Sequence, residues 1–388
     1  MEFESYKQFW NHQAATPESA LAAVDGSASE EVVQTTGRYT ARQVATAIDL
    51  DDTDSVLELG CGVGRIGREL APRCNHWTGV DISSKMIAHA RERLAHLENI
   101  DFHELRRSNL EALGDGSSSK AYSVAVLCHM DKEDLYLYMQ ELNRVVRPGG
   151  AIFVETWNLA HPIGWRRWAY EPLVWSRADQ SQRKDVARNQ FCTAEEFELY
   201  VSYAGFEPLA NFNESQSVQI VAGKALEPAQ RAAWLSHIEK NREGIAYSSL
   251  YAELFAQSVD VLFGKLPPGD MLAYIDSLPP TNRQQALQQL FDDRPAAVVL
   301  VQGVDGPPEL REYLERYGAR PGWDFLTGSR TDIDAVMRAF DAFIPDKMSH
   351  QPLIFIRSPR DGSWVRLYGF PGSKDLLAEY EKALGGAE

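Results

Sequence analysis

The segment SVLELGCGVGRIGRELAPRCNHWTGVD, residues 55–81, predicts the central unit of the fold. A short apolar strand is followed by a turn with glycine at alternate positions from Gly60 to Gly64, and then by a helical pattern. A second strand, residues 76–80, ends on Asp81. Because glycine has no Cβ, such a turn can pass close beneath a ligand and aim backbone N–H groups at it. An acid after the second strand can accept the hydroxyls of a ribose, so the unit predicts nucleotide binding, although tight packing alone also produces glycine-rich turns.

The glycine spacing is G-x-G-x-G, unlike the G-x-G-x-x-G of dinucleotide-binding turns. The sequence ELGCGVGR at residues 58–65 resembles the first motif of the class I S-adenosylmethionine (SAM) methyltransferases. The sequence DISSKMIAHAR at residues 81–91 resembles the family's second block. The sequence RPGG at residues 147–150 resembles the turn before its fifth strand. Three blocks in the family's order favour SAM as the cofactor.

The resemblance implies roles in cofactor binding for the first two blocks. The glycine loop would pack against the methionine part of SAM, Asp81 would hold the ribose, and the residues after it would flank the adenine. The sequence departs from the family at Asn109, where an acid is usual, but an amide can still accept from the adenine amino group. In the leading segment, Arg38 is a candidate partner for the SAM carboxylate. The predicted cofactor-binding residues are Arg38, Glu58, Gly60, Cys61, Gly62, Gly64, Asp81, Ile82, Met86, Asn109, Leu110 and Cys128.

A fourth, apolar strand is predicted at residues 123–128, directly before His129. Ligands of a doubly wound sheet lie beyond the carboxyl ends of its strands, so Cys128 and His129 are expected to face the transferred methyl group. An imidazole there can act as general base for a hydroxyl or amine nucleophile, since its pKa lies near neutrality. A histidine satisfied by the loop backbone fits the pattern equally well. The Asn/Asp-Pro-Pro-Tyr/Phe motif of family members that methylate amide or adenine nitrogens is absent, which favours a small-molecule acceptor.

Aromatic residues are concentrated after the predicted fifth strand, in the sequence WNLAHPIGWRRWAYEPLVW at residues 157–175. We interpret residues 157–190 as a lid that forms the acceptor pocket, because aromatic walls exclude water and stack on planar substrates. A second small core or an oligomer contact is the alternative. The predicted substrate-binding residues are Tyr6, Trp10, Trp157, Asn158, Trp165 and Trp168.

The predicted fold is α/β: a Rossmann-like seven-stranded methyltransferase domain at residues 1–225, a helical connector at 226–264 and a thioredoxin-like α/β domain at 265–388. Helices are expected in the first 50 residues. Strands are expected at 100–105 and 151–156, and an antiparallel pair at 206–211 and 217–222 is expected to end the first domain. In the second domain, helices are expected at 281–291, 308–317, 332–343 and 373–384, a strand at 297–301, and a hairpin of the strands 352–356 and 364–368.

The C-terminal part resembles the Sco/SenC copper-chaperone family. The matching stretches are VDGPPEL at residues 304–310, YG at 317–318, WDFLTG at 323–328, and His350 before a predicted hairpin. That family binds copper with C-x-x-x-C and a distant histidine, yet no cysteine follows Cys192. We therefore predict no metal site and no redox chemistry. The domain is expected to serve as a dimer surface, a wall of the acceptor site or a dock for a partner protein.

The composition of the chain argues against several classes of partner and cellular location. The formal charge of -16 and the pI of about 5.1 argue against a nucleic-acid partner, which normally requires a basic surface. No apolar run approaches the ~20 residues of a membrane span, and the N-terminus lacks the layout of a signal peptide, so a cytoplasmic protein is expected. Four scattered cysteines without a C-x-x-C pair predict reduced thiols.

Two functional hypotheses follow. The first is SAM-dependent methylation of an oxygen or nitrogen on a small-molecule acceptor, as a tailoring step in a biosynthetic pathway. The second is a SAM-binding module without transfer, whose thioredoxin-like domain recruits a partner protein. The sequence does not identify the acceptor.

Overall fold

The computed structural model describes most of the N-terminal two thirds of the chain and shorter segments beyond. The described residues are 5–26, 28–175, 189–262, 265–279, 297–300, 323–326, 338, 353–357, 364–368, 379 and 382. The chain divides into two compact units, Met1–Ala252 and Glu253–Glu388. The boundaries predicted at 225 and 264 stay a prediction.

Three helices precede the first strand, as expected: α1 Tyr6–Gln13, α2 Pro17–Asp25 and α3 Glu30–Ala47. Side chains satisfy the first N–H groups of two of them, since Ser5 caps α1 and Thr16 forms a capping box with Ser19 on α2. The next elements of the first unit, in chain order, are β1 Ser55–Leu59, α4 Gly67–Leu70, β2 His76–Asp81, α5 Ser84–Arg93, β3 Ile100–Glu104, β4 Ser118–Ser123, α6 Lys132–Val145, β5 Val146–Asn158, α7 Pro162–Trp168, α8 Tyr170–Trp175, β6 Phe191–Cys192, α9 Ala194–Tyr203, β7 Glu207–Phe212, β8 Ser217–Gly223, α10 Pro228–Lys240 and α11 Arg242–Ile245.

The main sheet has the order β3-β2-β1-β4-β5-β8-β7, with the two-residue β6 paired to β5. The first five strands of the chain pair in parallel, whereas β8 runs antiparallel to both β5 and β7. The predicted Rossmann-like arrangement with a terminal antiparallel pair is therefore confirmed.

Both faces of this sheet are covered, because successive residues of its central strands enter different cores. Phe153 belongs to a cluster that also contains Val56, whereas its neighbours Ile152 and Val154 belong to a second cluster with Leu57. The alternation explains why β1 and β5 read as nearly continuous apolar runs.

The fourth strand is not where the apolar pattern predicted it. β4 comprises Ser118–Ser123, so it ends where the predicted strand 123–128 was to begin, and residues 127–129 form a short 3₁₀ turn. The misleading feature is that β4 is polar in sequence but buried. Its polar groups have partners in other elements: the Ser119 hydroxyl donates to Asp54 (2.6 Å) and Lys120 donates to the Ile48 carbonyl (2.6 Å).

The predicted turn at residues 147–150 lies inside β5. The register of β5 against β4 shifts there, from Ser118 opposite Val146 to Lys120 opposite Ala151. Gly149 adopts a left-handed φ of 80° at this irregularity. The turn is thus a bulge in a longer strand.

Two helices beyond the predicted domain end pack onto the first unit. Trp234 and Ile238 of α10 and Ile245 of α11 belong to the core cluster that contains Phe153. The amide of Gln43 on α3 donates to the Ile245 carbonyl (2.7 Å). Residues 228–245 are therefore part of the body that carries the sheet.

Helix α12, Ser249–Leu262, follows and includes the division between the units, and α13 is Pro268–Ser277. In the second unit, β9 Ala297–Leu300 pairs in parallel with β10 Trp323–Leu326, and β11 Leu353–Arg357 pairs antiparallel with β12 Trp364–Tyr368. The predicted strand at 297–301 and the predicted hairpin are confirmed.

The remaining elements predicted for this unit fall mostly outside the described residues. This is so for the helices at 281–291 and 308–317 and for His350. Of the helices predicted at 332–343 and 373–384, only Arg338, Glu379 and Lys382 are described, and all three are helical. The thioredoxin-like fold stays a prediction. None of the helices in the described ranges has both the length and the apolar composition to cross a membrane.

Candidate active site

A cleft of about 150 Å³ lies at the carboxyl ends of β1, β2 and β4, the edge at which ligands of such sheets bind. Helices α1 and α2 form one of its walls. The lining residues are Tyr6, Trp10, Ala23, Val24, Glu58, Leu59, Gly60, Cys61, Gly62, Arg65, Ile66, Asp81, Ile82, Met86, Leu105, Val124, Ala125, Val126, His129, Met130 and Tyr138.

The glycine loop is held tightly between its neighbours. Gly60 and Gly62 have left-handed φ angles of 76° and 52°. A Cβ at Gly60 would lie 2.4 Å from Val126, and one at Gly62 would lie 2.8 Å from Val24. The N–H groups of Gly60 and Cys61 donate to the Val80 carbonyl at 2.8 and 3.0 Å. These two N–H groups are therefore bonded to β2, in contrast to the expectation that the turn aims them at a ligand.

Asp81 joins the glycine loop to the start of α5. Its Oδ2 accepts from the Gly62 N–H (2.9 Å) and its Oδ1 from the Ser83 N–H (2.8 Å). Burial raises the pKa of Asp81 to about 6, although these N–H groups act in the opposite direction. Each carboxylate oxygen keeps a lone pair for a further donor, such as a ribose hydroxyl.

Glu58 is the second buried acid of the cleft, and it is only 4% exposed. Its Oε2 accepts from the Tyr122 hydroxyl (2.6 Å), which in turn accepts from the Trp77 indole (3.1 Å). Burial raises the pKa of Glu58 to about 8, and the charge of Asp81 adds to the increase. Without a ligand, the neutral acid therefore predominates at pH 7.

Arg65 lines the cleft, and the sequence analysis did not select it. Its Nη1 donates to the Thr40 hydroxyl (3.1 Å) and lies 3.7 Å from Asp25 Oδ1. The side chain is 12% exposed, and within the described residues its other nitrogen atoms form no hydrogen bond. A guanidinium with open N–H groups beside the glycine loop can bind a carboxylate. The adjacent Asp25 Oδ2 is buried and has no partner in the described part of the chain.

Helix α1 lies against both sides of the cleft. The Tyr6 hydroxyl accepts from the Asp131 N–H (2.8 Å), and the Trp10 ring meets the His129 ring edge to face at 5.1 Å. On the other side, Asn11 Oδ1 accepts from the Ser83 hydroxyl (2.8 Å) and from the Lys85 N–H (3.2 Å). Ser83 itself caps α5 by accepting from the Met86 N–H (3.1 Å).

His129 is the last residue of the 3₁₀ turn after β4. Burial lowers the pKa of His129 to about 4, and the charge of Arg167 adds to the decrease while Glu171 opposes it. The imidazole is therefore neutral at physiological pH. It can accept a hydrogen bond from a nucleophile, but it is a weaker base than an exposed histidine.

The cleft brings together ten of the nineteen predicted site residues: Tyr6, Trp10, Glu58, Gly60, Cys61, Gly62, Asp81, Ile82, Met86 and His129. The other nine are not among the lining residues: Arg38, Gly64, Asn109, Leu110, Cys128, Trp157, Asn158, Trp165 and Trp168.

The contacts of several predicted cofactor-binding residues explain why they do not line the cleft. Arg38 donates to the Thr35 hydroxyl (3.0 Å) on its own helix. Asn109 lies beside Glu111 on the exposed surface, at 3.4 Å. Leu110 and Cys128 are buried, the former within a core cluster.

The aromatic segment after β5 is also placed differently from the predicted lid. Trp157 stacks on Phe191 at 6.1 Å, and the Asn158 amide donates to the Asn213 carbonyl (2.9 Å). Trp165 is 54% exposed and contacts Trp168 at 4.9 Å. These side chains support the chain around β6 or lie on the surface, and residues 176–188 of the predicted lid are outside the described residues.

The cleft also contains residues that no motif marked. Ala23 and Val24 come from α2, and the residues at 124–126 come from the turn after the displaced β4. A sequence signal existed only for Arg65, which directly follows the glycine loop. The others are ordinary apolar residues whose role depends on which elements meet.

Comparison with known proteins agrees with this geometry. Residues 56–150 match the family model described as "Methyltransferase domain". This range starts in β1 and ends in β5, so it contains the glycine loop, Asp81 and His129. Within this range the chain is similar to a methyltransferase domain.

Curated relatives are methyltransferases. The malonyl-[acyl-carrier protein] O-methyltransferase of Salmonella typhimurium is 30% identical over 145 residues, which is 37% of this chain and 55% of that protein. The ubiquinone biosynthesis O-methyltransferase of Aromatoleum aromaticum is 30% identical over 104 residues, which is 26% of this chain and 44% of that protein. The chain thus spans about half the length of these relatives.

Among solved structures, the N-methyltransferase NodS from Bradyrhizobium japonicum WM9, in complex with S-adenosyl-L-homocysteine, is 14% identical. The alignment covers 57% of this chain and 98% of that one at a TM-score of 0.41. At this TM-score the likeness adds no argument to the family match.

Proposed function

We propose that this chain transfers the methyl group of SAM to an oxygen or nitrogen atom of a small-molecule acceptor. The observation that carries the proposal is that one cleft brings together the glycine loop, Asp81 and His129. The relatives' names support it, since they include O-methyltransferases and an N-methyltransferase that acts on N-demethylindolmycin.

The cofactor would lie along the carboxyl ends of β1 and β2. Asp81 would accept the ribose hydroxyls, and Ile82 with the buried Met86 would flank the adenine. The methionine part would follow the glycine loop, where the open N–H groups of Arg65 take the role first predicted for Arg38. The charge of Asp81, whose pKa of about 6 leaves it mainly ionised at pH 7, suits a sulfonium cofactor, because SAM carries a positive charge beside the methyl group.

The acceptor would enter from the α1 side. Tyr6, Trp10, Met130 and Tyr138 make that wall aromatic and apolar, which suits a small organic molecule. Neutral His129 would orient the nucleophile by accepting its hydrogen bond. It would take up the nucleophile's proton as the new C–O or C–N bond forms and the bond from the sulfonium sulfur to the methyl group breaks, which leaves S-adenosylhomocysteine. SAM is already an activated methyl donor, so alignment in a closed cleft supplies most of the catalysis.

For the whole protein, we infer a tailoring step in a biosynthetic pathway. The second unit would contribute contacts, with another copy or with a partner protein. A SAM-binding module without transfer is the alternative. Formation of S-adenosylhomocysteine with any acceptor distinguishes the two.

Calorimetric titration of SAM into wild type, Asp81→Ala and Asp81→Asn tests the proposal. Loss of hydrogen bonds to a charged group costs about 1.5–3 kcal/mol, so both variants should bind SAM at least about tenfold more weakly. Asp52→Ala, which removes an exposed acid of the loop before β1, is the matched control and should bind like wild type. A wild-type chain that binds no SAM would sink the proposal.

A further inference from the structure

A buried polar network lies behind the turn that follows β4. Its centre is Glu155 on β5, which is 6% exposed. Glu155 Oε1 accepts from the Ala125 N–H (3.2 Å). Glu155 Oε2 accepts from the Gln219 amide and from the Tyr247 hydroxyl, each at 3.1 Å. Both carboxyl oxygens therefore have partners, and only one of these partners lies in the turn.

The turn needs such support because Ala125 has a left-handed φ of 57°. This conformation crowds the Cβ of an L-residue against its own backbone, so it persists only where neighbouring contacts hold it. Ala125 lines the cleft together with Val124 and Val126. The Val126 side chain also occupies the space where Gly60 would carry a Cβ. A shift of the turn would therefore change the wall of the cleft and its packing on the glycine loop.

Tyr247 enters this network from outside the sheet. Its N–H donates to Gln219 Oε1 (3.2 Å). Tyr247 therefore binds both Glu155 on β5 and Gln219 on β8. Its ring stacks on Tyr251 at 4.5 Å, and Tyr251 stacks on Tyr39 of α3 at 5.7 Å. Burial raises the pKa of Tyr247 well above its usual value, so the hydroxyl keeps its proton and donates to Glu155.

We propose that Tyr247 is a positioning residue of the methyl-transfer site: through Glu155 it holds the Ala125 turn in the conformation that shapes the cofactor cleft. The inference rests on the proposed function for the nature of the ligand. It assigns a role to a residue beyond the last strand of the sheet and outside the segment that matches the methyltransferase family. Burial raises the pKa of Glu155, while its hydrogen-bond partners and the charge of Arg65, which lines the cleft, act in the opposite direction.

The test compares Tyr247→Phe with Tyr251→Phe in the full chain. Both substitutions keep a ring in the same stack, but only the first removes a hydrogen bond to Glu155. Hydrogen exchange at the Ala125 amide, read by mass spectrometry of peptides that cover residues 123–130, reports on the turn directly. Exchange should be about fivefold faster in Tyr247→Phe, because the loss of one hydrogen bond that supports Glu155 costs about 1 kcal/mol. Peptides from β1 should be unchanged, which excludes global destabilisation.

SAM affinity is measured by calorimetry on the same proteins. Tyr247→Phe should bind SAM about three- to tenfold more weakly. Part of the binding free energy is then needed to return the turn to its binding-competent conformation. Glu155→Gln should have a similar effect, and the double variant should be no weaker than the stronger single variant, since both act through one network. Tyr251→Phe should match wild type.

Unchanged exchange at Ala125, an equal effect of Tyr251→Phe, or faster exchange with unchanged SAM affinity would each overturn the inference. If wild type binds no SAM, the proposed function fails together with the cofactor part of this inference. The exchange comparison then still decides whether Tyr247 holds the turn.

Discussion

Glu58 makes the stability of the first unit depend on pH. Its pKa is about 8 in the folded chain, against about 4.3 for an unfolded glutamate. Between these values the folded chain binds more protons than the unfolded chain, so the free energy of unfolding falls as pH rises through this window. The cause is burial of the carboxyl group, which disfavours its charged form.

Substitution Glu58→Gln tests this linkage. Glutamine keeps the shape of the neutral acid and can still accept from Tyr122, but it cannot acquire a buried charge. The melting temperature of the variant relative to wild type should therefore rise between pH 5 and pH 9. Glu98→Gln, at an exposed position, is the control and should show no such trend. A difference for Glu58→Gln that stays constant across this range would contradict the assignment.

Arg65 is expected to recognise the carboxylate of SAM. Arg65→Gln should weaken SAM binding by about tenfold or more, because a charged hydrogen-bonded pair is lost. Binding of 5′-methylthioadenosine, which has the adenosine and thioether but no amino-acid part, should change less than twofold. Arg38→Gln should leave both affinities unchanged. Equal losses for the two ligands would instead indicate that Arg65 only supports the loop through Thr40 and Asp25.

At the scale of single residues, the sequence was enough to predict the residues of the glycine loop and Asp81. It was not enough to predict which side chains pack around them. The glycines, Glu58 and Asp81 follow one another closely in sequence, so a local pattern was enough to select them. Choosing between Arg38 and Arg65 required knowing that α2 and α3 bring Asp25 and Thr40 to the glycine loop. That contact joins residues about 25 to 40 positions apart, and no local pattern encodes it.

At the scale of elements, β4 shows why an apolar pattern can mislead. Five of the six residues of Ser118–Ser123 are polar or carry a polar atom, yet five of the six are buried. Their partners come from β1 and the residue before it, such as Glu58 for Tyr122 and Asp54 for Ser119. Hydrogen bonding removes the cost of burying a polar group, and sequence periodicity does not register it. The displaced strand is the reason why the turn at Ala125 was missed.

Helix α1 is expected to affect SAM affinity although much of it lies on the surface. Asn11→Ala removes the acceptor for Ser83 and Lys85, which costs about 1 kcal/mol of docking free energy. Because α1 contributes Tyr6 and Trp10 to the cleft, SAM should bind about three- to fivefold more weakly. Gln13→Ala, at the end of the same helix, serves as the control in the calorimetric titration. Unchanged affinity in Asn11→Ala would show that α1 takes no part in cofactor binding.

For the whole molecule, the parallel sheet and its antiparallel end were predictable because long, periodic segments specify them. The surface that helices α10 and α11 cover could not be predicted. Their few apolar positions are typical of a connector, and they do not reveal against which elements it packs. Only their packing shows that Trp234, Ile238 and Ile245 complete the core on one face of the sheet.

Two fragments of the chain test whether α10 and α11 are needed for the stability of the first unit. Burial of three large side chains contributes about 5 kcal/mol or more, which is comparable to the total stability of a domain. Residues 1–225 alone should therefore unfold at a much lower temperature than residues 1–252, which also keep Tyr247 against Glu155. Residues 1–252 should bind SAM as tightly as the full chain, as measured by calorimetry. If 1–225 melts and binds like 1–252, then α10 and α11 do not stabilise the first unit, and Tyr247 is not needed for the site.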